Sequence, residues 1–166
     1  MRISIIILAL LIFAIGCSKR RFHMNGSTVM SPAIQPNETV VLDMSAFSKS
    51  DPQRWDIVAF HPPPESKTSS EAIWVMRVIG LPGESLEIRE GGIYVDGKLE
   101  AQPNQLSGIR YVPSVPVKYP HPTISYPYKI SADAYFLAGD NTTNSYDSRF
   151  WGAVPRPSIL GRVNDK

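Results

Sequence analysis

Ser27 and Ser31 bracket Val29 in the stretch 26–34, and Met76 precedes Arg77 in the stretch 74–83. Asp140, Asn141, Ser145, Asp147 and Arg149 crowd the run 139–155. A serine hydroxyl beside an amine or imidazole could attack an acyl carbon, and a pair of carboxylates could move protons. Neither 26–34 nor 74–83 contains a lysine to serve as that base. Asp140 and Asp147, seven positions apart, leave a carboxylate dyad open on residue types alone. His23, His61 and His121 are isolated, without the cysteine or carboxylate spacing of a zinc site. There is no phosphate loop and no dinucleotide fingerprint, so no metal and no cofactor are expected.

The elements that must carry these residues read as strands. Fifteen prolines and eleven glycines in 166 residues point to a turn-rich, mainly β domain rather than a bundle. Residues 38–42, 56–60, 72–79 and 135–138 are β-branched and apolar, bounded by polar residues or proline. Residues 85–89 and 93–95 alternate around Gly91-Gly92, and Asp96-Gly97 adds a tight turn, so a hairpin or meander is expected. Residues 159–163 supply a closing strand, and 61–70 is a Pro- and Ser-rich loop. Residues 100–128, with six prolines, read as an irregular Pro/Tyr-rich insertion. The formal net charge of +2 argues against nucleic acid as a partner.

Three runs together resemble type I signal peptidases, the Ser–Lys dyad peptidases of family S26. Residues 139–155, GDNTTNSYDSRFWGAVP, match the family's G-D-N-x-x-N-S-x-D-S-R-x-W-G-x-V-P at all twelve specified positions. Residues 74–83, WVMRVIGLPG, are similar to the family's second catalytic box, and 26–34, GSTVMSPAI, to its first. Asp56-Ile57-Val58-Ala59-Phe60 resembles a G-D-I-V-x-F strand, with Trp55 in place of Gly. The resemblance spans about residues 26–163. It implies a signal-peptidase-like fold of antiparallel sheets, partly barrel-like.

The departures fall on the chemistry. In the family, a serine nucleophile precedes the Met of the first box and a lysine base precedes the Arg of the second. Here those positions hold Val29 and Met76. Valine has no hydroxyl, and a thioether is no base at neutral pH. Both substitutions still suit packing: Met fills the channel of a lysine stem without a charge to desolvate, and Val suits an extended, half-buried backbone. In an extended chain Ser27 and Ser31 would share Val29's face, each ~6.5 Å along it. The resemblance also implies that Ser27 belongs to the oxyanion hole and that Ser145 orients the lysine. It implies an ion pair of Asp147 with Arg149 beneath the site. Arg77, Asp140 and Asn141 are read as structural, the last two fixing their turn through side-chain to backbone bonds.

The N-terminus reads as a targeting segment. Arg2 precedes an apolar run, Ile3 to Gly16, of fourteen residues. That is short of the ~20 a spanning helix needs and matches a secretory h-region. The run ends Ala14-Ile15-Gly16-Cys17, and Cys17 is the chain's only cysteine. A small residue before a sole cysteine resembles a bacterial lipobox, with Ala14 where Leu is usual. Residues 1–16 are thus expected to be a lipoprotein-type signal peptide, 17–25 a lipidated cysteine and polar tether, and 26–166 the signal-peptidase-like domain. Lys19-Arg20-Arg21 could pair with anionic headgroups.

Three functions remain on this reading. The first is a membrane-tethered pseudo-peptidase of the bacterial cell envelope, facing the periplasm or outer side. It would bind signal-peptide-like segments or partner an active signal peptidase. The second is an active serine endopeptidase with a displaced nucleophile such as Ser27 or Ser31. The third is a structural envelope lipoprotein.

Overall fold

Alternation writes itself directly into burial. Thr39–Asp43 (β2) buries Val40 and Leu42 and turns Thr39 and Val41 outward, while Ile57–Phe60 (β3) is buried throughout. In a computed structural model that describes residues 18–89, 91–113 and 124–164, eleven strands form two antiparallel sheets. The remaining strands are Lys19–His23 (β1), Trp74–Gly80 (β4), Ser85–Arg89 (β5), Gly92–Val95 (β6), Lys98–Leu99 (β7), Tyr128–Lys129 (β8), Ala134–Ala138 (β9), Val154–Pro155 (β10) and Ile159–Asn164 (β11). One sheet has the order β1-β2-β11-β3-β4-β9-β10, the other β7-β6-β5-β8. One helical turn, Ser148–Trp151 (α1), lies between β9 and β10. The expected mainly β, antiparallel fold is what the chain forms.

β9 shows how the sheets share the interior. Tyr135 and Leu137 point into a core with Val40, Leu42, Phe60, Met76 and Val78. Ala134, Phe136 and Ala138 point into a second core with Ile79, Leu86, Ile88 and Ile93. Successive side chains of a strand face opposite sides, so a strand between two cores reads as a continuous apolar run. Asp96 and Gly97, with φ of 48° and 81°, make the tight β6–β7 turn that their pairing predicts.

Two segments differ from expectation. Residues 19–23, read as part of a polar tether, form β1, which pairs with β2 from Lys19↔Asp43 to His23↔Thr39. Its side chains are almost all exposed, so no apolar alternation announces it; main-chain hydrogen bonds make the strand. Within the 100–128 insertion the described portions are irregular apart from a 3-10 turn at Asn104–Leu106 and the first residue of β8, yet Leu106, Ile109 and Tyr111 are buried in the second core. Ile3 to Gly16, Cys17 and residues 114–123 lie outside the described residues. Among the described residues, no helix is long and apolar enough to cross a membrane.

Candidate functional site

The chain turns out of β1 at Met24, whose N–H donates to the Glu38 carbonyl (2.9 Å). Ser27 N–H then closes back on the Met24 carbonyl (2.7 Å). Residues 28–34 coil: Ser31 N–H donates to the Thr28 carbonyl (3.1 Å) and Ile34 N–H to the Met30 carbonyl (2.9 Å). Val29 therefore begins a turn and is not in the extended backbone expected for it, so Ser27 and Ser31 do not share its face by strand periodicity. The C-terminal run clamps this turn. Asn141 N–H donates to the Val29 carbonyl (2.9 Å), Asn141 Nδ2 to the Thr28 carbonyl (3.2 Å), and Asn144 Nδ2 to Thr28 Oγ1 (3.0 Å). Asn141 thus binds backbone, as expected, but across the site rather than within its own turn.

Met76 lies on β4 between β3 and β9, 2% exposed. The register Arg77↔Ala138 brings Gly139, one step on, opposite Met76. A methyl group built on Gly139 would stand 2.7 Å from Val29 Cγ1 and 2.8 Å from Ser145 Cβ, closer than carbon atoms approach. Val29 and Ser145 therefore pack into the space that Gly139 leaves free, and the strand register sets Met76 across from the same glycine. The two sequence positions read as nucleophile and base are neighbours in the fold.

Ser145 is fully buried, and among the described residues its hydroxyl has no hydrogen-bond partner. Leaving such a group unpaired costs about 1–3 kcal/mol. With a methionine at 76, nothing amine-like stands there to take its bond. Ser145→Ala removes the orphan and is expected to leave stability unchanged or raise it by up to about 1 kcal/mol. Thermal unfolding checks this, and a loss of more than about 1 kcal/mol would mean that the hydroxyl is bonded in solution.

Beneath the site lies the expected ion pair. Arg149 donates through Nε and Nη2 to the two oxygens of Asp147, both at 2.7 Å, with both side chains fully buried. Its Nη1 meets the carbonyls of Thr142 (2.7 Å) and Val112 (3.0 Å). Burial alone would lower the guanidinium's pKa, but the Asp147 charge and hydrogen bonds hold it above the usual arginine value. Asp147 also accepts from the N–H groups of Gly139 (3.0 Å) and Arg149 (3.2 Å), so it ties the site glycine to the first turn of α1.

Asp140 does not cap its own turn. It takes a two-pronged bond from Arg77, Nε to Oδ1 at 2.8 Å and Nη2 to Oδ2 at 2.6 Å, while Arg77 Nη1 reaches the Trp55 carbonyl (2.8 Å). The signal for this pair was a buried-strand arginine, which has to find a carboxylate. Tyr111 leans on Asp140, and burial followed by that carboxylate's charge pushes the phenol well above the usual tyrosine range. With Asp140 and Asp147 each committed to its own arginine, they do not form a carboxylate dyad.

A cleft of about 600 Å³ opens over Val29 and Met76. Ser27 lines it, half-buried, in a position to face an occupant. Ser31 does not; it lines a separate depression with Pro32 and Arg110. The far wall is aromatic: Trp74 and Tyr146 line the cleft, and Trp151 stands behind them at ring distances of 5.5 and 4.7 Å. The cleft also uses residues that sequence reasoning passed over, His23 and Met24 at the end of β1 and Ser66 and Lys67 on the β3–β4 loop. No periodic pattern marks them, because a loop and an exposed edge strand carry none.

The comparisons with known proteins agree with this geometry. The family model described as signal peptidase, peptidase S26, matches residues 1–165. The chain is 34% identical over 138 residues to probable signal peptidase I-2 of Synechocystis sp., covering 82% of this chain and 58% of that protein. It is 34% identical over 140 residues to signal peptidase I of Leptolyngbya laminosa, covering 82% and 63%. The chain thus spans about six-tenths of the length of these relatives. The crystal structure of a signal peptidase I from Enterococcus faecalis superposes with a TM-score of 0.52 at 31% identity, covering 69% of this chain and 98% of that one. The chain belongs to the signal peptidase family, peptidase S26.

Proposed function

We propose that this chain is a catalytically inactive signal-peptidase-like protein whose cleft binds extended segments resembling signal peptides. The observation that carries the proposal is a trio of side chains: a valine against Gly139 and a methionine across the strand register from it, where the dyad would stand, and a buried serine hydroxyl without a partner among the described residues. This acyl chemistry needs a hydroxyl at the first position and a neutral amine at the second, and Val29 and Met76 supply neither. The cleft is present, lined by small polar, aliphatic and aromatic residues that an extended peptide could lie against. The deciding experiment is a preprotein-cleavage assay on the full chain beside its Val29→Ser/Met76→Lys variant. Cleavage by the natural chain at the expected site would end the inactive reading.

One observation favours a displaced nucleophile: Ser27 lines the cleft. In that event Ser27→Ala abolishes whatever cleavage the natural chain performs. No lysine stands in either catalytic box, and Lys67, the lysine that lines the cleft, is exposed on a loop.

The membrane attachment is proposed from residues 2–17 alone. A diacylglyceryl group joined to the Cys17 thiol through a thioether carries two acyl chains and would anchor stably where a single chain would not. Cys17→Ser is expected to move the protein from the membrane to the soluble fraction and to abolish incorporation of labelled palmitate. Unchanged fractionation and labelling would remove the lipoprotein assignment.

A further inference from the structure

β1 ends the seven-stranded sheet in hydrogen-bond order, and its last residue, His23, runs into the cleft. Lys19, Arg20, Arg21 and His23 are exposed along it. Basic side chains on an open edge discourage pairing with a like strand, and they favour one of opposite charge. Lys67 also lines the cleft, exposed, in the left-handed conformation (φ 55°) with its N–H bonded to the Pro64 carbonyl (3.0 Å). Beside it the shielded Ser66 hydroxyl has no hydrogen-bond partner among the described residues. Among the described residues, no Asp or Glu lines the cleft. Glu65 and Glu71 are exposed on the same loop outside the lining, and Asp43 faces Lys19 from β2.

We infer that the occupant of this cleft is an extended polypeptide segment carrying acidic side chains, added as a strand along β1. The inference rests on the cleft-binding reading above and narrows its substrate class. The segment's main chain meets the open N–H and C=O groups of β1. Its carboxylates lie near Arg21 on one side and Lys67 on the other, and Ser66 donates to one of its carbonyls. Each cross-strand pair of opposite charge favours binding by about two- to fivefold, and a like-charged pair disfavours it comparably.

The test is calorimetric titration of the full chain with three ten-residue Ala/Ser/Val peptides, identical except for two positions occupied by Glu, Gln or Lys. Binding is expected in the order Glu, Gln, Lys, spanning about tenfold at low salt and narrowing as ionic strength rises. An Arg21→Glu/Lys67→Glu variant, altered only at exposed positions, is expected to reverse the order. Equal binding of all three peptides overturns the acidic preference and leaves the cleft-binding reading standing. No binding of any of them overturns both. A concentration-dependent dimer that the Glu peptide fails to disperse places a second copy on this edge and also overturns the inference.

Discussion

Val29→Ser/Met76→Lys is expected to cut a preprotein at least about 10²-fold faster than the natural chain, within the range a positioned base contributes. Position 76 is 2% exposed, so burial lowers the pKa of an amine placed there and leaves part of it neutral near pH 7. The Ser145 hydroxyl has no competing partner among the described residues and so is available to such an amine, and Ser27 lines the cleft. Gly139 leaves room for the side chains at 29 and 145. Neither single change should suffice, because nucleophile and base act as a unit. Met76→Lys alone is expected to destabilise the fold, since a buried amine then lacks its natural partner. Adding Ser145→Ala to the double variant should lower its rate about tenfold through loss of the lysine's hydrogen bond. A folded double variant that stays silent while binding the peptide would mean the cleft no longer presents a scissile bond to position 29.

Asp147→Asn is expected to cost about 3–5 kcal/mol, the effect of leaving one partner of a buried pair uncompensated. Asparagine keeps the shape but not the charge, and it replaces one acceptor with a donor facing Arg149. Four bonds converge on this carboxylate, from Gly139 N–H, Arg149 N–H, Nε and Nη2. The loss would consume much of the roughly 5–15 kcal/mol that stabilises an ordinary domain. Urea unfolding monitored by tryptophan fluorescence measures it directly. A midpoint shift equivalent to less than about 1 kcal/mol would show that water reaches Arg149 and replaces the lost charge. Arg149→Met together with Asp147→Leu should be milder than Asp147→Asn, because no buried charge is then left alone.

Much of the molecule was legible in the order of its residues. The strands 39–43, 57–60, 74–80, 85–89 and 134–138 follow from apolar alternation or continuous β-branched runs, since burial on one face or two leaves that imprint. The family was legible in the run 139–155, because a loop crossing beneath a site needs specific residues at nearly every position. That positions 29 and 76 carry neither a hydroxyl nor an amine was legible too, since it depends only on which atoms those side chains carry.

Tertiary structure alone decided the rest. β1 became a strand because β2 offered it hydrogen bonds, which its charged sequence could not announce. Val29 entered a turn because Asn141, more than a hundred residues on, holds its carbonyl. Asp140 turned to Arg77 rather than to its own backbone, because a guanidinium buried on β4 has to be neutralised by whichever carboxylate the sheet brings near. Residue types declare what chemistry is available or lost. Only the fold declares which groups meet, because those meetings join segments that local sequence does not relate.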